Sequence, residues 1–128
     1  MTEDLTLDAN YEALREIGPW LSDCIGADHD SHGSIELAIH ELATNSVDHA
    51  GSPDQRLRIS GRVDKAETVL TVEIRDHGNP FDTASAPTPD PAEPQVGGYG
   101  LMIVEQLASE LRYERAADEN IWTASFAL

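Results

Sequence analysis

The chain has 128 residues, with 24 acidic against 8 basic side chains and a formal net charge of −16. This length supports one hydrophobic core, so we expect a single domain covering residues 1–128. So negative a surface repels phosphate backbones and anionic lipid, which argues against direct nucleic-acid or membrane binding. There is no long apolar run and no basic, apolar leader, and the single cysteine excludes an internal disulfide. These features predict a cytoplasmic protein.

The first predicted elements are a short strand and two helices. EDLTLDA alternates apolar and polar residues as a strand does. A helix follows from Asn10, and Gly18-Pro19 inside it should kink or split it because proline removes a helical hydrogen bond. The polar loop GADHDSHG leads into a second helix from about Ser34 to His49. The apolar positions of the first helix recur every three or four residues: Tyr11, Leu14, Ile17, Leu21 and Ile25.

The second half of the sequence predicts strands around one more helix. RLRISGRV and TVLTVEIRD alternate as strands, and DKAE between them is typical of a hairpin loop. A proline-rich segment without bulky apolar residues follows, and we interpret residues 82–96 as a lid. YGLMIVEQLASEL predicts the third helix, and LRYERA and NIWTASFAL predict a final hairpin. This order predicts an α+β fold, a two-layer α/β sandwich whose mostly antiparallel mixed sheet carries helices on one face.

Two stretches raise the possibility of a bound transition metal. In HELATNSVDHA, His40 would need a second histidine one helical turn later to form a zinc-protease motif, and Thr44 stands there instead. This disfavours a zinc hydrolase. DHDSH, residues 28–32, contains metal-ligand side chains, but polar loops before helices carry the same residues as caps. We favour the capping interpretation.

The second helix also carries a pair of residues suited to magnesium. Glu41 and Asn45 are about 40° apart around the helix and one turn apart along it. They lie near the edge of the apolar stripe, whose centre is roughly 130° from Glu41. An amide oxygen is a hard ligand suited to magnesium, and a neighbouring carboxylate can orient or deprotonate a nucleophile. Solvated helix residues often show the same spacing, so the pair alone does not define a site.

Two further segments are compatible with a nucleotide. Asp76-His77-Gly78 ends a predicted strand, where an acid can accept a hydrogen bond from an exocyclic amine and the glycine lets a base approach. Glycines 97, 98 and 100 lead into the third helix, whose first backbone amides form a ready phosphate site. Each segment alone is also typical of an ordinary turn or loop-helix junction.

Together and in this order, the three segments resemble the Bergerat-type (GHKL) ATP-binding domain shared by gyrase B, MutL and sensor histidine kinases. The resemblance rests on Glu-x-x-x-Asn-x-x-x-His-Ala, on Asp-x-Gly followed by Pro-Phe-Asp, and on Gly-x-Gly-Leu-x-Ile-Val. It covers nearly the whole chain. The short length, NSVDHA and DHGNPFD look most like the RsbW/SpoIIAB branch of anti-sigma-factor serine/threonine kinases.

The resemblance implies roles for individual residues. Glu41 would be the general base for a serine hydroxyl of a partner, and Asn45 the magnesium ligand. Asp76 would bind the adenine amino group, with Gly78 admitting the ring, while His49 is expected to be structural. The phosphates would be held by the backbone of Gly98, Gly100 and Leu101, and Thr123 would make a water-mediated adenine contact.

The resemblance also implies ATP and Mg2+ as cofactors, and a sigma factor and a STAS-domain antagonist as protein partners, with homodimers common in the family. One feature departs from the family pattern, because residues 76–111 contain no Lys or Arg. Phosphoryl transfer usually recruits a cation besides magnesium, which here could come from Arg15 or a partner chain. The alternatives are therefore a kinase, a non-catalytic partner-switching module, or a regulatory domain of a larger phosphatase or histidine-kinase system.

Overall fold

The computed structural model describes residues 2–52, 54–81 and 100–128, which build one five-stranded sheet and its helices. The strand order is β1-β2-β3-β5-β4, and every pairing is antiparallel. The predicted α+β sandwich is confirmed, with an antiparallel rather than mixed sheet. The strands are β1 (Thr2–Asp8), β2 (Arg56–Val63), β3 (Val69–Asp76), β4 (Glu110–Ala116) and β5 (Glu119–Ala127).

The two faces of the sheet differ because side chains alternate along each strand. On β3, Leu70, Val72 and Ile74 are fully buried against the helices. Thr71, between them, lies on the other face and is half-buried. We call these the helix-covered face and the open face. The core lies entirely between the helix-covered face and the helices.

A 3-10 helix, Glu12–Glu16, precedes α1, Ile17–Ile25. The predicted split of the first helix is therefore confirmed, and it occurs just before Gly18-Pro19. Pro19 lies in the first turn of α1, where a backbone N–H has no intrahelical acceptor, so its missing N–H removes no helical hydrogen bond.

The second helix, α2, runs from His32 to Asp48, two residues longer at its start than predicted. Its predicted apolar face is confirmed, since Ile35, Ile39 and Leu42 are buried in the core. Burial of each such side chain contributes about 1.5–3 kcal/mol, which fixes the rotation of α2 about its axis. No helix in the described ranges is long and apolar enough to cross a membrane.

The third helix, α3, covers Gly100–Leu107 and ends four residues earlier than predicted. Ser109 already donates its backbone N–H to the carbonyl of Ser125, at 2.8 Å, and Leu111 pairs with β5. The prediction of a helix through Leu111 was therefore wrong, because sheet pairing overrides the local helical periodicity. The predicted lid at 82–96 and Gly98 lie outside the described residues.

Candidate functional site

The first part of the site lies where α2 meets α3, which pack against each other. Gly100, the first residue of α3, is buried against Glu41. A Cβ atom at Gly100 would lie 2.8 Å from Oε2 of Glu41, so a side chain there would displace the carboxylate. The first backbone N–H groups of a helix have no intrahelical acceptor. Glu41 therefore lies at the N-terminus of α3, and its role as a general base stays a prediction.

Asn45 lies one turn after Glu41 on α2. Its Nδ2 atom is buried and has no hydrogen-bond partner among the residues that the structure describes. A buried polar group without a partner costs about 1–3 kcal/mol and is rare in native proteins. We call Glu41, Asn45 and Gly100 the helix end of the site.

Asp76, the last residue of β3, forms the second part of the site and is only 1% exposed. Its Oδ1 atom accepts hydrogen bonds from the backbone N–H of Gly78, at 2.8 Å, and from Nδ2 of Asn120, at 2.9 Å. Asn120 stands directly opposite on β5. The strand-end carboxylate predicted from the sequence is thus held from two sides.

Asn120 belongs to a hydrogen-bond network that sequence reasoning missed. Its Nδ2 also donates to the carbonyl of Asn79, at 2.8 Å. Its Oδ1 accepts from the Tyr113 hydroxyl, at 2.5 Å, and from the Arg115 guanidinium, at 3.2 Å. We call Asp76, Tyr113, Arg115 and Asn120 the strand-end network. The sequence carried no signal for this role, because Asn120 is one of three polar residues in the predicted strand NIWTASFAL.

An aromatic cluster borders the strand-end network. Phe81 packs edgewise on His49 and Trp122, with ring centroids 5.0 and 5.3 Å apart, and Tyr113 lies 4.8 Å from Trp122. The backbone N–H of Phe81 also donates to the Tyr113 hydroxyl, at 2.9 Å. Aromatic edge contacts of this kind contribute about 0.5–1.5 kcal/mol beyond burial. These contacts give His49 a packing role between α2 and the sheet.

The last turn of α2 connects the two parts of the site. Asn45 and His49 are one helical turn, about 5.4 Å, apart along the axis. The carbonyl of His49 accepts a hydrogen bond from the backbone of Asn79, at 2.8 Å. The helix end and the strand-end network therefore border the same stretch of α2, rather than separate surfaces.

The structure explains the glycine at position 78 differently from the sequence analysis, which related Gly78 to the approach of a base. A Cβ atom there would lie 2.4 Å from the carbonyl oxygen of His49 and 3.0 Å from the Cα of Ala50. The space that a side chain would need is filled by the backbone after α2. The glycine thus permits close packing of two backbone segments, and its predicted role in admitting the adenine ring stays a prediction.

The structure does not bring Thr123 together with Asp76. Asp76 lies on the helix-covered face, where Trp122 and Ala124 are also buried in the core. Thr123, between them on β5, lies on the open face and lines a cavity of about 420 Å3 with Thr71 and other residues. The alternation of side chains along β5 separates Thr123 from Asp76, and the predicted water-mediated adenine contact of Thr123 stays a prediction.

The histidines considered as metal ligands have other contacts. Nδ1 of His29 accepts a hydrogen bond from the backbone of Ser31, at 3.0 Å. His32 lies 3.0 Å from the Ser22 hydroxyl and 3.5 Å from the Glu36 carboxylate. Within the described ranges, no three His, Cys, Asp or Glu side chains form a metal-binding group.

The residues present fit a magnesium-bound nucleotide. At the helix end, a carboxylate and an amide oxygen are the hard donors that magnesium prefers, and the α3 N-terminus favours anions. Within the described ranges, the amide nitrogen of Asn45 has no partner, which leaves a polar group in this turn for a ligand. At the other end, the buried carboxylate of Asp76 would be the acceptor for a base. Leu101, the second residue of α3, is half-buried and its amide belongs to the same N-terminus.

Comparison with known proteins identifies the class to which this architecture belongs. Residues 5–126 match the family model of the histidine kinase-like ATPase domain, so the chain belongs to that family. This confirms the resemblance to Bergerat-type ATP-binding domains.

Among individual proteins, the chain is similar to the serine-protein kinase RsbW. It is 31% identical to RsbW of Bacillus subtilis (strain 168) and 29% identical to RsbW of Bacillus licheniformis, each over 98 residues. Each match covers 70% of this chain and 61% of the relative. The matched region therefore spans about three fifths of the length of these curated relatives.

Solved structures confirm the fold. The RsbU and RsbW domains of a Mycobacterium tuberculosis protein superpose with a TM-score of 0.68 at 24% identity, covering 98% of this chain and 32% of that one. The catalytic domain of histidine kinase ThkA superposes with a TM-score of 0.59 at 15% identity, covering 98% of this chain and 97% of that one.

Proposed function

We propose that this protein binds ATP with Mg2+ and acts as an anti-sigma factor with serine/threonine kinase activity. The observation that carries the proposal is the packing of Gly100 against the Glu41 carboxylate, one turn from the orphaned amide of Asn45. This arrangement places a potential base, a potential metal ligand and a helix N-terminus within one short region. The similarity to serine-protein kinase RsbW supports the same reading.

At the helix end, Asn45, the first backbone amides of α3 and Glu41 would have separate roles. The bound Mg2+·ATP supplies the phosphoryl group and compensates its charge. The amide oxygen of Asn45 would ligate the ion, and the backbone amides of Gly100 and Leu101 would orient the phosphate oxygens. Glu41 would accept the proton of a serine or threonine hydroxyl, which requires that hydroxyl to come within hydrogen-bond distance of its carboxylate.

At the strand-end network, Asp76 would accept a hydrogen bond from the adenine amino group. Because the carboxylate is buried and already held by Gly78 and Asn120, its geometry is set before the base arrives. A preorganised acceptor loses little freedom on binding, which favours affinity. The contact would select the base and take no part in the transfer itself.

The proposed partners are a sigma factor, which the protein would sequester, and a STAS-domain antagonist, which would receive the phosphate. We further propose a cytoplasmic location and a homodimer. The net charge of −16 suits a basic partner surface and favours fast electrostatic association with it.

A second candidate is a partner-switching module that binds nucleotide without transferring phosphate. The positions of the arginines favour it. Arg115 donates to the Gly78 carbonyl at 2.8 Å, and Arg15 is exposed and pairs with Glu12 at 3.6 Å. Both guanidinium groups are engaged away from Glu41. In that case binding of nucleotide alone would control the partner.

Isothermal titration with ATP and ADP, with and without Mg2+, tests the nucleotide site. We expect saturable binding that Mg2+ strengthens in the wild type and that weakens at least about tenfold in Asn45→Leu. Heat changes that do not saturate in the wild type would refute the proposed function.

Phosphotransfer separates the two candidates. Labelled ATP is incubated with the protein and a STAS-domain protein carrying an acceptor serine. A kinase should transfer label, and Glu41→Gln should slow transfer by about 100-fold or more while retaining ATP affinity. Glu105→Gln, an exposed acid on α3, is the matched control. ATP affinity without transfer would establish the non-catalytic module, and transfer at the wild-type rate by Glu41→Gln would remove Glu41 as the base.

A further inference from the structure

We propose that Asn120 is the positioning residue that fixes the Asp76 carboxylate and thereby sets base selectivity, an inference that rests on the proposed nucleotide-binding function. Asn120 is 2% exposed and stands opposite Asp76 in the β3–β5 register. Neither the local sequence nor the family motifs single it out. The side-chain amide of Asn120 can adopt only one orientation in the strand-end network.

The hydrogen-bond directions around Asn120 follow from the chemistry of its neighbours. The Phe81 N–H donates to the Tyr113 hydroxyl, which leaves that hydroxyl free to donate its own proton to Oδ1 of Asn120. Arg115 is a donor only and contacts the same Oδ1 atom. The oxygen of Asn120 therefore faces two donors.

The nitrogen of Asn120 faces two acceptors. One is Oδ1 of Asp76, at 2.9 Å, and the other is the backbone carbonyl of Asn79, at 2.8 Å. Turning the amide by 180° would set oxygen against oxygen at Asp76 and Asn79, and N–H against the Arg115 donor. Three contacts would be lost inside a buried network, where each unsatisfied group costs about 1–3 kcal/mol, and the Tyr113 hydroxyl would have to turn from donor to acceptor. The amide is thus locked.

Because its amide is held in one orientation, Asn120 determines which carboxylate oxygen of Asp76 is left to accept a hydrogen bond from a ligand. Oδ1 already accepts from Gly78 and Asn120, so the second carboxylate oxygen is the acceptor that remains. An acceptor suits the 6-amino group of adenine and opposes the 6-oxo group of guanine. Sites built around a specific hydrogen bond reject analogues that lack its partner. Base selectivity would therefore depend on Asn120 acting through Asp76.

Asp76→Asn provides the sharpest test, measured as the ratio of ATP to GTP affinity by titration. The new amide can keep its oxygen toward Gly78 and Asn120, which places an N–H donor where the free oxygen was. We expect the wild type to prefer ATP, and the ATP-to-GTP ratio to fall at least about tenfold in Asp76→Asn. In Asp76→Asn combined with Asn120→Ala, only the Gly78 N–H still orients the amide, so the ATP-to-GTP ratio should move back toward one with both affinities weak.

Asn120→Asp is a second variant that retains the shape of the network. Two carboxylates at hydrogen-bond distance disfavour double ionisation, so one proton is shared at low pH and lost at high pH. We expect the ATP affinity of Asn120→Asp, relative to wild type at the same pH, to fall at least about fivefold between about pH 5.5 and pH 8.5. A purely structural role for Asn120 gives a ratio that does not change with pH.

Arg112→Met is the matched control, because Arg112 lies on β4 on the open face and pairs with Glu110. It should retain the wild-type ATP-to-GTP ratio. Circular dichroism and melting of the ligand-free variants establish that each one folds. If the wild type binds neither nucleotide, the proposed function fails, and this inference with it. If the wild type prefers ATP, but the relative ATP affinity of Asn120→Asp does not change with pH and adding Asn120→Ala to Asp76→Asn leaves the ATP-to-GTP ratio unchanged, the positioning role alone is overturned.

Discussion

The two parts of the site differ in how completely their polar groups are satisfied. In the strand-end network, Asp76 and Asn120 are almost fully buried, and each has partners within the chain. At the helix end, Asn45 has a buried amide nitrogen without a partner in the described part of the chain, and Glu41 is only partly buried. A satisfied network stabilises the fold and fixes direction, whereas unsatisfied groups cost stability and remain available to a ligand. This contrast agrees with the proposed roles of the two parts, in which the strand-end network selects the base and the helix end binds the metal and the phosphates.

Replacement of Asn120 should have the largest effect on stability. Asn120→Leu removes the partner of Asp76, Tyr113 and Arg115 at once, and we expect the free energy of unfolding to fall by about 3 kcal/mol or more in urea titration. Thr123→Val, on the same strand but the open face, should change it by about 0.5 kcal/mol or less. If both substitutions lowered the free energy of unfolding equally, the effect of Asn120→Leu would reflect general packing of the strand and not the hydrogen-bond network.

Gly100→Ala should affect ligand binding more than stability. The added Cβ displaces a flexible carboxylate end rather than backbone, so we expect a change in unfolding free energy below about 1 kcal/mol. Nucleotide affinity should fall about tenfold, because the added methyl group and the displaced, still charged Glu41 carboxylate would crowd the α3 N-terminus where the phosphates are proposed to bind. Gly33→Ala, where nothing lies within 4 Å of the added atom, is the control. Unchanged affinity in Gly100→Ala would mean that this close approach is not part of the binding site.

Asn45→Leu should raise the free energy of unfolding, whereas Asn120→Leu should lower it. The Asn45→Leu change removes a buried amide that has no partner among the described residues, so we expect the ligand-free protein to become more stable by about 0.5–1 kcal/mol. The same change should abolish the Mg2+ dependence of nucleotide binding. Destabilisation by Asn45→Leu would show that the amide is satisfied in solution and would weaken the contrast between the two ends.

The prediction with the smallest expected effect concerns Cys24 and the stability of the whole fold. Burial, followed by the charges of Glu3 and Asp23, raises the pKa of its thiol from 9.0 to about 11. The folded state therefore keeps a proton that the unfolded state loses above pH 9, so stability should decline between about pH 9 and pH 11. Cys24→Ala should lack this part of the decline in thermal melts. Thiol labelling should also slow when Mg2+·ATP is present, since a ligand bound only to the folded state suppresses opening.

The sequence was sufficient where the signal is local. Alternation on β3 and the three-and-four spacing on α2 predict the buried faces, because burial of one face is the main force on each element. The pairing of Glu41 with the start of α3 was implied by the family resemblance rather than by spacing. The composition also predicts the segment around Gly98 only as a loop.

What could not be predicted depends on register between distant strands. Asp76 and Asn120 are 44 residues apart and meet only because β5 pairs with β3. A shift of one residue would place Thr123 rather than Trp122 on the helix-covered face. The end of α3 at Leu107 and the packing that requires Gly78 are likewise tertiary effects. No local pattern in NIWTASFAL carries that information.

The position of β5 within the sheet has a consequence for synthesis of the protein. β5 follows every other element along the chain, yet it lies inside the sheet between β3 and β4. A nascent chain that has not released residues 119–127 from the ribosome has an exposed β3 edge and an Asp76 without Asn120. Such long-range pairings form slowly compared with helices. The proposed recognition of a base would thus begin only after β5 has paired with β3.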